Sequence, residues 1–281
     1  MFIYLNGEYV EEAEAKVSIM DHGYLYGLGL FETFRIYNGH PFLLDDHFQR
    51  MAEGLEELGI DWSITRSDAM DILTELLTRN GIKDAYVRWN VSAGAMGLGL
   101  YTGRYTDPTV AVLIKPLPSS VQDKEIVILN RRRNTPEGDK RLKSHHYLNN
   151  VLAKRELGSS PLLEGIFLTK EGWVAEGVVS NLFWIKDHKV YTPALETGIL
   201  DGVTRRYIMS LLKDQQIPLI EGLFDQSELL DADEVFLTNS IQEVVRVESC
   251  GRTAYAKESN LLKGLKESFE VETTQRWSIA E

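Results

Sequence analysis

The sequence predicts an α+β protein with two mixed lobes that divide near residue 120. Three observations predict it. Asn-Gly dipeptides at 6–7 and 38–39 interrupt short β-rich runs, which is typical of antiparallel hairpins. Other segments repeat apolar residues at helical spacing, interspersed with strand patterns along the chain. The stretch Pro-Leu-Pro-Ser-Ser at 116–120 is the best linker candidate, because proline and serine interrupt regular structure without adding apolar cover.

The N-terminal lobe, residues 1–115, is predicted to hold strands and two helices. The predicted strands are a hairpin over 2–10, then 31–37, 41–43, 86–92 and 109–115. The helices are predicted from about Asp45 to Leu58 and from about Ser67 to Arg79, where glycines follow. One stripe of the first helix contains Phe48, Met51, Ala52, Leu55 and Leu58. Arg50 lies away from this stripe, so the helical wheel alone predicts a solvated side chain.

The C-terminal lobe, residues 125–281, is predicted to follow a linker at 116–124. Its predicted strands are 125–130, a hairpin of 165–169 and 173–175, then 180–185, 189–191, 234–239 and 244–248. Its predicted helices are about 144–157, 204–215 and 260–269.

Composition excludes several classes of protein. A net charge of −12 argues against wide nucleic-acid contacts, which require clustered cations. The basic run at 131–133 is expected to be a solvated surface. No apolar run approaches the roughly 20 residues that cross a membrane, and the first residues lack a basic leader, so we expect a cytoplasmic protein. Cys250, the single cysteine, excludes an intramolecular disulfide and argues against a cysteine metal site.

Few positions stand out chemically when each is taken alone. The glycine-flanked turn at 198–205 leads into a helix, so it could bind a phosphate or merely begin that helix. Lys143 could be a solvated charge or, if partly buried, a nucleophilic amine. Glu176 could be an exposed loop acid. His145 and His146 are adjacent and would not face one point on a helix, so no metal site is predicted.

Six segments, taken in order, resemble the fold-type IV pyridoxal-phosphate enzymes, which include branched-chain aminotransferases, D-amino-acid aminotransferases and aminodeoxychorismate lyases. The segments are Asp21–Gly27 with Phe31-Glu32-Thr33, His47-Phe48-Gln49-Arg50, Lys143, Glu176-Gly177 with Ser180-Asn181, Gly202–Arg205, and Asp233–Phe236 with Thr238-Asn239-Ser240. The resemblance extends from Tyr4 to about Val247. It implies a D-amino-acid-aminotransferase-like fold, with pyridoxal 5'-phosphate between the two lobes, and a homodimer.

The resemblance also implies roles for individual residues. Lys143 would carry the cofactor as a Schiff base and move protons during turnover. Glu176 would hold the pyridine nitrogen, and a carboxylate there favours the protonated ring. The residues that the resemblance assigns to the rest of the cofactor site, mainly the phosphate, are Arg50, Asn181, Val203, Thr204 and Ser240.

Within the family, Thr33 is the informative position. The lyases carry a threonine there, whereas the branched-chain enzymes carry a glycine; strand propensity is the alternative reason for a threonine. Residues 143–150 and 238–243 also resemble lyase segments, and residues 94–99 lack the Arg-x-His clamp of the D-amino-acid enzymes. The resemblance therefore implies conversion of 4-amino-4-deoxychorismate to 4-aminobenzoate and pyruvate in folate biosynthesis. The alternative is a branched-chain or D-amino-acid aminotransferase.

The implied substrate is a dicarboxylate, so cationic side chains are expected in its pocket. Arg88, on the strand predicted at 86–92, is the first candidate, although a purely structural arginine would suit that strand equally well. Tyr26 and Arg35 are the next candidates, and Thr33 would lie close to the substrate.

Overall fold

The computed structural model describes residues 1–117 and 123–281, and these divide into two compact units. Unit 1 comprises Met1–Ser119, Leu142–His146 and Thr273–Glu281, and unit 2 comprises Ser120–Arg141 and Tyr147–Glu272. The segment around Lys143 and the C-terminal residues thus group with unit 1, whereas the sequence placed them in the C-terminal lobe. The centre of the predicted linker, residues 118–122, lies outside the described residues.

Unit 1 is built on an antiparallel sheet with the strand order β2-β1-β6-β5-β3-β4 among the described residues. Its elements are β1 (Phe2–Leu5), β2 (Glu8–Glu11), α1 (His22–Tyr26), β3 (Gly29–Tyr37), β4 (His40–Pro41), α2 (Leu44–Glu57), α3 (Arg66–Asn80), β5 (Ala85–Ser92) and β6 (Thr109–Pro116). The two predicted Asn-Gly hairpins are confirmed. Both residues of each turn have a positive φ, which glycine and asparagine tolerate better than other residues.

Strand alternation decides which residues of β3 enter the core of unit 1. Phe34 and Ile36 are fully buried and pack with Met51 and Leu55 of α2. Burying each such side chain stabilises the fold by about 1.5–3 kcal/mol. The predicted stripe of α2 is correct except for Ala52, which is exposed.

Unit 2 is built on a mixed sheet with the order β12-β11-β10-β13-β14-β7-β8-β9, and β15 pairs with β14. Its elements are β7 (Lys124–Ile128), α4 (Leu148–Leu157), β8 (Leu163–Leu168), β9 (Val174–Gly177), β10 (Asn181–Lys186), β11 (Lys189–Pro193), α5 (Val203–Asp214), β12 (Leu219–Gly222), α6 (Gln226–Leu230), β13 (Glu234–Asn239), β14 (Glu243–Cys250), β15 (Thr253–Ala254) and α7 (Asn260–Glu272). Parallel pairs occur at β11·β12, β14·β7 and β7·β8.

The prediction of a helix beginning near Ser144 is wrong, because α4 begins at Leu148. Residues 143–145 instead extend along the first part of β3. The Phe31 amide donates to the Lys143 carbonyl, and the His145 amide donates to the Gly29 carbonyl, each at 3.0 Å. β4 pairs only with Ile36 and Tyr37, at the C-terminal end of β3. The same edge near the N-terminal end of β3 can therefore pair with another segment.

Four of the short elements, α1, β12, α6 and β15, were not predicted. Each has five residues or fewer, which is too short for a hydrophobic period to be recognised. Within 1–117 and 123–281, no helix combines the length and the apolar character that a membrane span requires.

Candidate active site

In unit 1, the Phe31 ring is contacted by two cationic side chains. Lys143 Nζ lies 4.7 Å from the ring centre, and the guanidinium carbon of Arg88 lies 3.6 Å from it. Phe31 is itself buried, so the ring gives both cations an apolar surface. The backbone bond from Phe31 to Lys143 fixes the lysine main chain at this place.

Thr33 lies directly opposite Arg88 in the antiparallel register of β3 and β5. Residues two apart on a strand share a face, so Thr33 is on the same face as Phe31. Arg88 is oriented by Asn90, whose amide oxygen accepts from Arg88 Nε at 3.0 Å. Unit 1 therefore brings together three of the predicted residues, Lys143, Thr33 and Arg88.

The opposite face of β3 carries Glu32, a residue for which no role was predicted. Its buried carboxylate accepts hydrogen bonds from Arg50 Nε at 2.7 Å, Arg50 Nη2 at 2.6 Å and His47 Nδ1 at 2.7 Å. Burial alone would raise the pKa of Glu32, but the charge of Arg50 and the hydrogen bonds lower it to about 2. Burial lowers the pKa of His47, so a neutral imidazole donates to Glu32 at pH 7.

The expectation that Arg50 is solvated is wrong, because only 17% of its side chain is exposed. The helical wheel could not show this, since the partner Glu32 comes from another element. A guanidinium has five N–H donors, and the bidentate pair with Glu32 fixes its plane.

His145 is another side chain that sequence reasoning did not place at this site. Its ring stacks on Phe31, with centroids 6.2 Å apart and planes 22° apart. Burial and then the charge of Arg88 lower the pKa of His145 to about 4, so the imidazole is neutral at pH 7.

Tyr26, a predicted substrate residue, lies at the end of α1 with 38% of its surface exposed. Its hydroxyl accepts from the Gly99 amide at 2.9 Å, and its ring packs edge-on against His22. These contacts involve none of the three residues around Phe31.

In unit 2, Glu176 is a buried residue of β9 rather than an exposed loop acid. Its Oε1 accepts from Arg133 Nε at 2.8 Å, and its Oε2 accepts from the Leu200 amide at 3.0 Å. The prediction of a solvated basic run at 131–133 is therefore wrong for Arg133, although Arg131 and Arg132 are exposed. Asn181 lies beside the same carboxylate, with its Nδ2 3.5 Å from Oε2.

The predicted phosphate turn in unit 2 begins helix α5. Gly202 is the N-cap residue and provides no side chain to cap the helix, and the first turn has no acidic residue. A Cβ built on Gly202 would lie 2.1 Å from the amide oxygen of Asn181, so any larger residue there would displace the Asn181 side chain. The hydroxyl oxygens of Thr204 and Ser240 are 3.2 Å apart, which places two polar groups next to this helix end.

A model of the family described as amino-transferase class IV matches residues 29–250. The chain belongs to the class IV aminotransferase family. It is 49% identical, over 92% of the chain and 89% of the relative, to the aminodeoxychorismate lyase of Bacillus subtilis (strain 168). It is 32% identical, over 89% of the chain and 88% of the relative, to the D-alanine aminotransferase of Bacillus licheniformis.

Similarity to a solved structure confirms the predicted fold class. The branched-chain amino acid aminotransferase from Escherichia coli matches with a TM-score of 0.86 and 26% identity, over 100% of this chain and 99% of that structure. The α+β, fold-type IV architecture is thus correct.

The class IV family depends on pyridoxal 5'-phosphate, and the residues present fit this group chemically. The first turn of α5 supplies unsatisfied backbone N–H groups, which suit a phosphate dianion, and Thr204 and Ser240 add hydroxyl donors. Lys143 supplies an amine against an aromatic ring. Glu176 supplies a buried carboxylate for a ring nitrogen.

Proposed function

We propose that the chain is an aminodeoxychorismate lyase, which converts 4-amino-4-deoxychorismate to 4-aminobenzoate and pyruvate in folate biosynthesis. The observation that carries the proposal is 49% identity over 92% of the chain to a relative of that name, against 32% to the D-alanine aminotransferase. The arrangement in unit 1 supports it, because Thr33, which can pass a proton, lies opposite a cation that can bind a carboxylate.

We propose that one set of residues holds one pyridoxal 5'-phosphate molecule: Arg50, Lys143, Glu176, Asn181, Val203, Thr204 and Ser240. When bound, the cofactor supplies an electron sink for the substrate carbon next to the amine. Arg50, oriented by Glu32, binds phosphate oxygens together with the backbone and hydroxyl donors of the α5 turn. Glu176 pairs with the ring nitrogen, and Asn181 supports the turn, since its Nδ2 donates to the Leu200 carbonyl at 2.8 Å.

The catalytic proton transfers fall to Lys143 and Thr33. Lys143 Nζ takes the proton from the substrate carbon that bears the amine. The Thr33 hydroxyl passes this proton to the methylene carbon of the departing enolpyruvyl group, which becomes the methyl group of pyruvate. Arg88 binds a substrate carboxylate, and Tyr26 and Arg35 are proposed as further contacts. The buried Phe31 ring keeps water from the amine.

An aminotransferase on the same fold is the second candidate. The D-alanine aminotransferase relative favours it, since both reactions begin with removal of the same proton. Fold alone does not separate them. The aminotransferase would transfer the amine to the cofactor and release a keto acid, whereas the lyase returns its cofactor unchanged.

The deciding experiment supplies the purified protein, loaded with pyridoxal 5'-phosphate, with aminodeoxychorismate and follows 4-aminobenzoate and pyruvate. We expect both products in equal amounts, and slower turnover of leucine and D-alanine. Thr33→Val, which removes the hydroxyl, should slow the release of 4-aminobenzoate by about 100-fold or more, whereas Thr33→Ser should retain most activity. Rapid transamination without 4-aminobenzoate would refute the proposal.

We also propose a cytoplasmic homodimer. Two neighbouring segments of unit 1 expose large apolar side chains: Ile19, Tyr24, Leu98 and Leu100 are 73–85% exposed. A hydrogen bond from the Met96 amide to the Met20 carbonyl, at 3.1 Å, joins these segments. An apolar patch of this kind marks a protein contact. Leu98→Glu with Leu100→Glu should give monomers in sedimentation, while Val271→Glu, an exposed position in unit 2, should leave the dimer intact.

A further inference from the structure

We infer that Arg133 is a positioning residue that keeps Glu176 an oriented carboxylate anion, and so keeps the ring nitrogen of the bound cofactor protonated. The inference rests on the proposed function, in which Glu176 pairs with that nitrogen. Arg133 has no role in the steps proposed above.

The contact between the two residues is buried on both sides. Arg133 Nε donates to Glu176 Oε1 at 2.8 Å, and each side chain is only 6% exposed. The Leu200 amide donates to the other oxygen at 3.0 Å, and Asn181 Nδ2 makes a longer contact with that oxygen at 3.5 Å. An ionised carboxylate has about four lone-pair positions, which leaves acceptor capacity for one further donor such as a ring N–H.

Arg133 is itself held from a different element. Its Nη1 donates to Asn149 Oδ1 at 2.7 Å and to Asn150 Oδ1 at 3.2 Å, both from the first turn of α4. The guanidinium carbon also lies 5.1 Å from the centre of the Phe167 ring. The asparagines and the phenylalanine are neutral, so these contacts orient the guanidinium without cancelling its charge, and the charge acts on Glu176.

A second cation acts in the same direction. Arg141 Nε lies 3.9 Å from Glu176 Oε1. Burial, with the charge of Arg133, lowers the pKa of Arg141 to about 10, so this guanidinium stays charged at pH 7. Arg133 is nevertheless the closer partner, and it makes the direct hydrogen bond.

The effect on the ring nitrogen follows from the cost of burying charge. A buried carboxylate without a cation prefers the neutral acid, and would take the proton from the ring nitrogen. A guanidinium at hydrogen-bond distance reverses this preference, because it stabilises the anion. The proton then stays on the ring, Glu176 acts as its counter-ion, and the ring withdraws electrons strongly from the reacting carbon.

The test is the pH midpoint of the visible absorbance band that the cofactor shows when it is bound to Lys143, measured without substrate. A charged ring lowers this midpoint. Arg133→Gln should therefore raise it by about one pH unit or more, the size typical of a lost neighbouring charge. Arg133→Lys keeps a charge but not the planar fork, so a smaller rise is expected. Arg131→Gln, at an exposed position of the same run, should leave the midpoint unchanged.

A cofactor analogue with carbon in place of the ring nitrogen separates this role from a structural one. With the analogue, Arg133→Gln and the unaltered protein should have the same midpoint, since there is no nitrogen to protonate. A difference that persists with the analogue overturns the inference, and so does an unchanged midpoint in the Gln variant or, if that variant does not fold, in the Lys variant. An unaltered protein that never acquires the band overturns the proposed function instead.

Discussion

Replacing Glu32 by glutamine should destabilise unit 1 strongly at neutral pH, because it removes the charge that pairs with Arg50. The pKa of Glu32 falls from an ordinary 4.5 to about 2. Since each pH unit corresponds to about 1.4 kcal/mol, the ionised carboxylate contributes about 3 kcal/mol to the free energy of unfolding. The carboxylate is buried, so solvent screens this contribution little.

The direction of the pKa shift determines how the stabilisation by Glu32 changes with pH. Because the pKa of Glu32 is depressed in the folded state, the stabilisation is fully present above about pH 4.5 and is lost as the pH falls towards 2. Urea unfolding at pH 7 should therefore show Glu32→Gln less stable by about 3 kcal/mol, with a smaller deficit at pH 3. Glu57→Gln, at an exposed position of α2, is the control. A Glu32→Gln deficit below about 1 kcal/mol at pH 7, or one equally large at pH 3, would refute the reasoning.

Three further predictions concern the cofactor site and its surroundings. Lys143→Ala should abolish the visible band of the bound cofactor and the lyase activity while the far-ultraviolet circular dichroism stays the same; normal turnover would contradict its assignment. Gly202→Ala should weaken cofactor binding in a fluorescence titration by about tenfold or more, because its Cβ would meet Asn181 at 2.1 Å. Gly264→Ala, where a Cβ meets nothing within 4 Å, should bind normally, and equal affinities would refute the steric argument. His145 should titrate near pH 4 by NMR, since burial and Arg88 disfavour its cation, and a midpoint near 6.5 would contradict this.

Local patterns predicted most of the elements, because hairpins and amphipathic helices depend on residues near one another in the chain. The Asn-Gly turns and the stripe of α2 illustrate this. The extended conformation of residues 143–145 could not be predicted in this way. It depends on backbone bonds to β3, more than 100 residues earlier, and helix propensity beyond Ser144 gave the opposite indication.

The same distinction between local patterns and contacts of distant residues applies to the candidate site. The motifs, by their order in the sequence, predicted roles for Lys143, Thr33 and Glu176. They did not identify the partners that hold such residues, because Arg50 meets a carboxylate from a strand and Arg133 meets one 43 residues away. Arg133 was therefore expected in solvent, and the helical wheel alone gave the same expectation for Arg50, although the resemblance assigned Arg50 to the phosphate. A buried ion pair gives no signal in the sequence of either partner alone.

Because side chains alternate between the two faces of β3, residues that stabilise the strand and residues that face the proposed substrate are direct neighbours in the sequence. Glu32 lies on one face of the strand, where it pairs with Arg50. Its neighbours Phe31 and Thr33 lie on the other face, together with Arg88. With Thr33 in its proposed role, a substitution at position 33 would change which reaction is favoured without weakening the contacts of Glu32. Because neighbouring residues of the strand face opposite sides, members of one family can change their chemistry through single substitutions there, provided that no residue is inserted into the strand.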